Sequence, residues 1–482
     1  MLKKYIQALL SIIIIALAHP CPIQADEVSE AVAAAKKSPK NQKLNRRAAE
    51  ALLHAGEKSE AIEYFLKSDN RGNLDAAELC FELYDFERAG QLLDKYLAKR
   101  TKEQKIFDSQ YIPQWSEDET DYTDVLRHRI NLGLSMLDRV EKIAVIDSVN
   151  VPAEDFLNYY RLARTAGRLR PDTRVERLLP RGWLASQGLS TISPAAFESE
   201  AGDYVMFAAT DEETANSAVY ETYQLADGQW IQPEKVFDYA SIFGKETGIT
   251  VDFPFLMPDG VTLYFAADGE DSLGGLDIFV SRRGDDSYLQ PSNAGMPYNS
   301  PANDYMLAID EVNGTGWWVS DRNGLADSVT VYTFIPSADM RVNYPADTPG
   351  LADIARLTSI SLTHDGVNQS AIAHKNTDAA QTDNGEDEVE LSLPDGRVIT
   401  SLQGLSNAAA RKAMTEYVKA YNLLAANCRQ LEQLRARYGS GDHSLSFRIL
   451  SLEEEVDRQS RQLITLRNEA VRAEMGDKMK SL

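Results

Sequence analysis

Cysteine and histidine are scarce in this chain, three and six in 482 residues. So few cysteines exclude a disulfide-stapled scaffold, and no Cys-x-x-Cys or His-Glu-x-x-His spacing marks a metal site. Long apolar runs are missing after the first 25 residues. A membrane-crossing helix needs about 18 of them in a row, so no integral span is expected once a signal is removed. Positive charge is also short. Fifty Lys and Arg face 73 Asp and Glu, for a net −23, which argues against a nucleic-acid partner because phosphate neutralisation needs clustered cations. No glycine-rich loop follows a strand and opens a helix, and Gly269-Glu270-Asp271-Ser272-Leu273-Gly274 lacks the spacing of a nucleophile elbow. No catalytic residue and no cofactor is assigned, and the chain reads as non-enzymatic.

What is present begins with an address. Lys3 and Lys4, the apolar stretch Ala8 to Ala18 and the small-residue end Ile23-Gln24-Ala25 make residues 1–25 a secretory signal. Cys21 invites lipidation, but His19-Pro20 before it departs from the small apolar residues of such sites. Export to the periplasm or the outer membrane is the expected location. Cys80 and Cys428 then remain, both at apolar positions of helical patterns, where a thiol packs as a small hydrophobe.

Charge divides the rest unevenly. The net is −2 over 26–190, −19 over 191–345, −7 over 346–400 and +3 over 401–482. The hydrophobic pattern changes at similar places and gives a multidomain α+β chain. Residues 26–138 have helical spacing, with Gly56 between two short helices and Ala51, Gly56, Ala61 and Phe65 in a pattern that recurs weakly at Leu83 to Leu93. The β-branched run Ile143-Ala144-Val145-Ile146 predicts a strand ending at Pro152, then a helical interlude from Phe156 to Ala166. The remainder of 139–345 reads as short strands and turns.

Within 191–345 the chain repeats itself. Tyr204-Val205-Met206-Phe207-Ala208-Ala209 matches Thr262-Leu263-Tyr264-Phe265-Ala266-Ala267, and both are similar to Gly316-Trp317-Trp318-Val319-Ser320. A second strand follows each, placing Tyr220, Phe279 and Tyr332 at 13, 14 and 14 residues from Phe207, Phe265 and Trp318. These six aromatics are the predicted repeat core, in which stacked sheets hide one another's apolar faces.

Pro258-Asp259-Gly260 before Leu263-Tyr264-Phe265-Ala266, with Asp277-Ile278-Phe279-Val280-Ser281 after it, resembles the TolB-type, WD-like β-propeller repeat. Val319-Ser320-Asp321-Arg322-Asn323-Gly324 is similar to the turn of that repeat, and Ala51–Phe65 resembles a tetratricopeptide helical hairpin. The order of signal, helices and blades resembles exported envelope proteins of Gram-negative bacteria, some of which continue into an OmpA-like domain absent from this sequence. The resemblance implies a propeller-like domain over 139–345. Only three units are clear, so missing strands are expected from 140–151 and 174–183, or from a hairpin at 389–401, where Pro394-Asp395-Gly396 matches the earlier turn.

Residues 346–400 read as an acidic linker, its most polar part at 364–388. Residues 401–482 place apolar side chains at alternating three and four spacing on two helices joined at Gly439-Ser440-Gly441-Asp442, the pattern of a coiled-coil hairpin. Such a pair leaves apolar seam exposed, and a homodimer through it, or docking on another protein, is expected. Asp268, Glu270, Asp271 and Asp277 are the weak calcium candidates: they lack the ordered spacing of a dedicated calcium loop, and a solvated turn is the favoured reading. Two functions follow. The first is a non-enzymatic scaffold binding other envelope proteins. The second is a protein that binds or processes carbohydrate or peptide in the propeller funnel, with calcium as a candidate aid.

Overall fold

The computed structural model describes residues 25–109, 121–245, 248–285, 287–324, 327–336, 341–364, 388–392, 398–439 and 445–476. The signal, residues 365–387 of the polar linker, the joint at 440–444 and the side chain of Cys428 lie outside the described residues. The chain divides into two units, Met1–Val367 and Asn368–Leu482.

The first unit opens with helices α1 (Ala25–Lys37), α2 (Gln42–His54), α3 (Lys58–Phe65), α4 (Arg71–Glu82), α5 (Phe86–Ala98), α6 (Lys102–Asp108) and α7 (Tyr122–Leu137). Four of their starts are fixed by side-chain caps. Asn41 accepts from Leu44 N, Asp85 from Arg88 N, and Thr101 and Asp121 form reciprocal capping boxes with Gln104 and Asp124. Fully buried Ala48, Ala49, Ala61, Ala76, Ala77 and Ala89 let neighbouring helices approach, and Phe65, Phe86 and Tyr96 fill the spaces left. The turns α2–α3 and α4–α5 each pivot on a left-handed residue, Gly56 at φ 84° and Tyr84 at φ 63°. Glycine takes that conformation freely, whereas Tyr84 is held in it by burial.

Three antiparallel sheets follow. Sheet I runs β2 (Arg168–Arg170), β4 (Ala196–Glu198), β5 (Tyr204–Asp211), β6 (Ser217–Tyr223) and β7 (Glu234–Asp238), with β3 (Leu189–Ile192) also on β5. Sheet II runs β11 (Ser292–Asn293), β10 (Asp277–Arg282), β9 (Thr262–Gly269) and β8 (Gly248–Leu256). Sheet III runs β1 (Ala144–Pro152), β14 (Ser328–Ile335), β13 (Thr315–Ser320) and β12 (Asp304–Asp310). The third repeat is thus completed by the strand that precedes the other two in sequence.

Three expectations are corrected. Residues 174–183 supply no strand: they follow Pro171, include Pro180, and fall within and between the short helices α8 (Asp172–Glu176) and α9 (Trp183–Ser186), which cover one face of sheet I. The interlude 156–166 is two 3₁₀ turns, Phe156–Tyr159 and Arg164–Ala166, separated by Tyr160 in extended backbone. Residues 346–364 are not linker. They form α11 (Leu351–Arg356), after α10 (Tyr239–Phe243), and a 3₁₀ turn at Ile360–His364, because Leu351, Ile354 and Ala355 are apolar enough to join the helical core.

The second unit contains β15 (Glu388–Ser392) paired antiparallel with β16 (Val398–Ser401), then α12 (Ala408–Gly439) and α13 (Ser446–Met475). Among the described residues, β15 and β16 therefore pair with each other and with no strand of sheets I–III, and the Pro394-Asp395-Gly396 turn lies outside the described residues. The two helices run antiparallel. Met414 packs with Ala470, Leu434 with Ile449, and Asn427 Nδ2 donates to Gln459 Oε1 at 3.0 Å. Glu474 caps α12 from across the pair, accepting from Ser406 N at 3.0 Å and Asn407 N at 2.8 Å.

Candidate functional site

The six repeat aromatics occupy matched places. Phe207 lies opposite Tyr220, Phe265 opposite Phe279 and Trp318 opposite Tyr332 in their ladders. Each pair is stacked, with ring centroids 5.9, 6.0 and 4.7 Å apart and planes within 23°. Phe207, Phe265, Phe279, Trp318 and Tyr332 are buried and Tyr220 is half-buried. They are packing residues, since each faces other side chains: Trp183 covers Phe207 and Tyr220, Phe237 and Phe243 meet Phe265, and Tyr298 covers Trp318.

The calcium candidates diverge. Glu270 and Asp271 both pair with Lys245, at 3.3 and 2.8 Å. Asp277 is fully buried and accepts from Leu273 N at 2.9 Å, Gly274 N at 3.2 Å and Asn293 Nδ2 at 2.7 Å, so it shapes the loop from inside. Burial pushes its carboxyl up to about 7, outweighing the donors that favour the charge. Burial also raises Asp268, against the Arg129 charge. Among the described residues, no three His, Cys, Asp or Glu side chains are grouped to hold a metal ion.

Sequence reasoning missed a buried polar clasp between sheets II and III. Asn299 Oδ1 accepts from Ile278 N at 2.7 Å and its Nδ2 donates to Ile278 O at 2.9 Å, so one amide imitates a neighbouring strand. Asp304 accepts from Ser300 N at 2.6 Å and from Arg322 Nη2 at 2.7 Å, and Arg322 also donates to Pro297 O and Tyr298 O. The guanidinium lies over the Tyr332 ring at 5.3 Å. Burial opposes its charge, yet Asp304 raises its pKa above the usual value. The signal available in sequence was the polar run Asn299-Ser300-Pro301-Ala302-Asn303-Asp304 immediately before a strand.

Strands β8 and β12 meet across sheets II and III. The segment 153–166 occupies that place. Phe156 packs edge-on to Phe253 and Tyr305, at 6.3 and 5.7 Å, and those two rings stack at 4.5 Å. Tyr160 contacts Trp317 at 6.1 Å and donates its hydroxyl to Met306 O, and Ala163 N donates to Asp310 at 2.6 Å. β8 and β12 are both bulged here, with Phe253 and Met306 each at φ 53°. Burial pushes the Asp252 carboxyl beside the bulge up to about 6, against a hydrogen bond from Ser193.

The outer turns carry the acidity differently. Asp211 caps its own turn, accepting from Glu213 N and Thr214 N, whereas Glu212, Glu213 and Asp285 are exposed. The helical layer pairs its charges instead, in a ladder Asp69–Arg46–Asp75–Arg71–Asp108–Arg100–Asp121 with contacts of 2.6–3.4 Å, in which Asp75, Asp108 and Asp121 are buried and Asp69 is exposed. Cys80 is buried and unbridged, its thiol pushed up to about 11 by burial. Among the described residues no helix is long and apolar enough to cross a membrane. No family model matches this chain, and no curated protein or solved structure is similar to it.

Proposed function

We propose that this protein is a non-enzymatic, exported envelope scaffold that binds other envelope proteins through the outer turns of its sheets. The single observation that carries the reading is the filled junction of β8 and β12. Phe156 and Tyr160 occupy the space a funnel ligand would need, with the Tyr160 hydroxyl bonded to Met306 O and the Asp310 carboxylate to Ala163 N. In this reading the three sheets are propeller-like blades of the TolB-type kind, the helical layer is tetratricopeptide-like, and α12 with α13 forms a coiled-coil pair that offers a second contact surface. Large repeated surfaces bind partners without a chemical pocket.

The partner is basic. Glu212, Glu213 and Asp285 stand exposed on turns of a region whose net charge is −19, and such a field speeds encounter with a cationic surface. The test is capture from envelope extract by the full chain, followed by association kinetics with the purified partner. Saturable binding that weakens with salt supports the scaffold. Turnover of envelope carbohydrate or peptide by the purified chain would overturn it.

A further inference from the structure

The chain leaving sheet III does not run straight to the second unit. It first pairs alongside the entry to β1: Lys142 N donates to Val342 O at 2.7 Å and Tyr344 N to Val140 O at 2.9 Å, with Arg341 ion-paired to Glu141 at 2.9 Å. It then inserts Tyr344, Leu351, Ile354 and Ala355 into the helical core. Finally it returns to β1, where a bulge between Val145 and Asp147 interrupts pairing with β14. Val145 N donates to Thr363 Oγ1 at 2.9 Å, and His364 Nε2 donates to Val145 O at 2.8 Å.

β1 is the outer strand of sheet III, so the N–H and C=O of Val145 point away from β14. An edge strand with unpaired groups frays or recruits another chain. Here two side chains of one 3₁₀ turn satisfy both groups of a single peptide-flanking residue. We propose that residues 341–364 are a strap that locks β1 onto sheet III and ties that lock to the helical layer, so that loosening α11 releases a strand it does not itself pair with. Among the described residues, β1 is the one strand of sheet III that precedes sheets I and II in sequence.

The test is hydrogen exchange on the full chain, read at the amides of Ala144–Val151. Thr363→Val keeps the side chain's shape and removes the acceptor, and His364→Ala removes the donor. Each should speed β1 exchange about tenfold, the size of one lost hydrogen bond. Leu351→Ala with Ile354→Ala, which cuts the anchor in the helical core, should speed β1 exchange as well. Ser361→Ala, whose hydroxyl bonds that of Ser359 within the strap, should leave it unchanged. Unaltered β1 exchange in Thr363→Val overturns the lock. Acceleration confined to α11 and the helices in the double variant overturns the tie. Should the double variant not fold, Thr363→Val still decides whether the lock exists.

Discussion

The sheets and the helical layer of the first unit are held by opposite chemistry. Sheets I–III bury three stacked aromatic pairs at matched register, two of them lying in the cores that the sheets share. The helices place small apolar residues at their crossings and hold a seven-member ladder of alternating carboxylates and guanidiniums that runs from exposed Asp69 to buried Asp75, Asp108 and Asp121. Aromatic packing is short-ranged and insensitive to salt or pH. The ladder is worth its place only while each buried charge keeps both neighbours, since an orphaned one loses its compensation. Two parts of one unit should therefore fail under different insults.

The largest effect is expected in the sheets. Trp318→Ala should destabilise the first unit by about 3–5 kcal/mol in urea unfolding, and Phe207→Ala and Phe265→Ala should fall in the same range. Values that differ severalfold among the three would break the equivalence of the sheets. In the helical layer, Asp108→Asn leaves Arg71 and Arg100 short of a shared partner and should cost about 1.5–3 kcal/mol, a loss that salt leaves largely in place because Asp108 is buried.

pH acts on both regions in the same direction. Asp277 has a folded pKa raised to about 7, above its unfolded value, so the folded state binds the extra proton. Its contribution is fully present below the unfolded pKa of about 3.9 and is lost as pH rises through about 7. Glu78 in the helical layer, raised by burial to about 8, acts in the same direction. Stability of the first unit should fall between pH 5 and 8 in a guanidinium titration, and Asp277→Asn should flatten part of that fall. A stability that rises over this window would contradict the burial of both groups. The smallest change is expected at the surface: Lys245→Met removes contacts to Glu270 and Asp271 at a site about one-third exposed, and should shift stability by less than about 1 kcal/mol.

What was legible in sequence follows the same divide. Repeated aromatics announced themselves because strand register forces equal spacing, so Phe207–Tyr220, Phe265–Phe279 and Trp318–Tyr332 could be matched from offsets alone. The strand at β1 was readable from its β-branched run, but its place on β14 was not, because pairing across nearly 180 residues leaves no local mark. The ladder was invisible: Arg46, Asp75 and Asp108 look like ordinary solvated charges until three helices bring them together. Residues 346–364 misled for a related reason. The contacts that order them, made by Leu351, Ile354, Ala355, Thr363 and His364, are with helices and a strand distant in sequence. The candidate calcium loop had the residue types without the convergence, since Lys245, distant in sequence, claims two of its four carboxylates.

The central claim is that the exposed acidic turns of the sheets recruit a basic envelope partner. The most direct measurement is the association rate of that purified partner with the wild-type chain and with a Glu212→Gln, Glu213→Gln, Asp285→Asn variant, over a range of salt. These three residues are exposed and off the cores, so the variant should fold as the wild type does. The account predicts slower association and a shallower salt dependence for the variant, with dissociation little changed. Identical rates and salt slopes for the two folded proteins would contradict it.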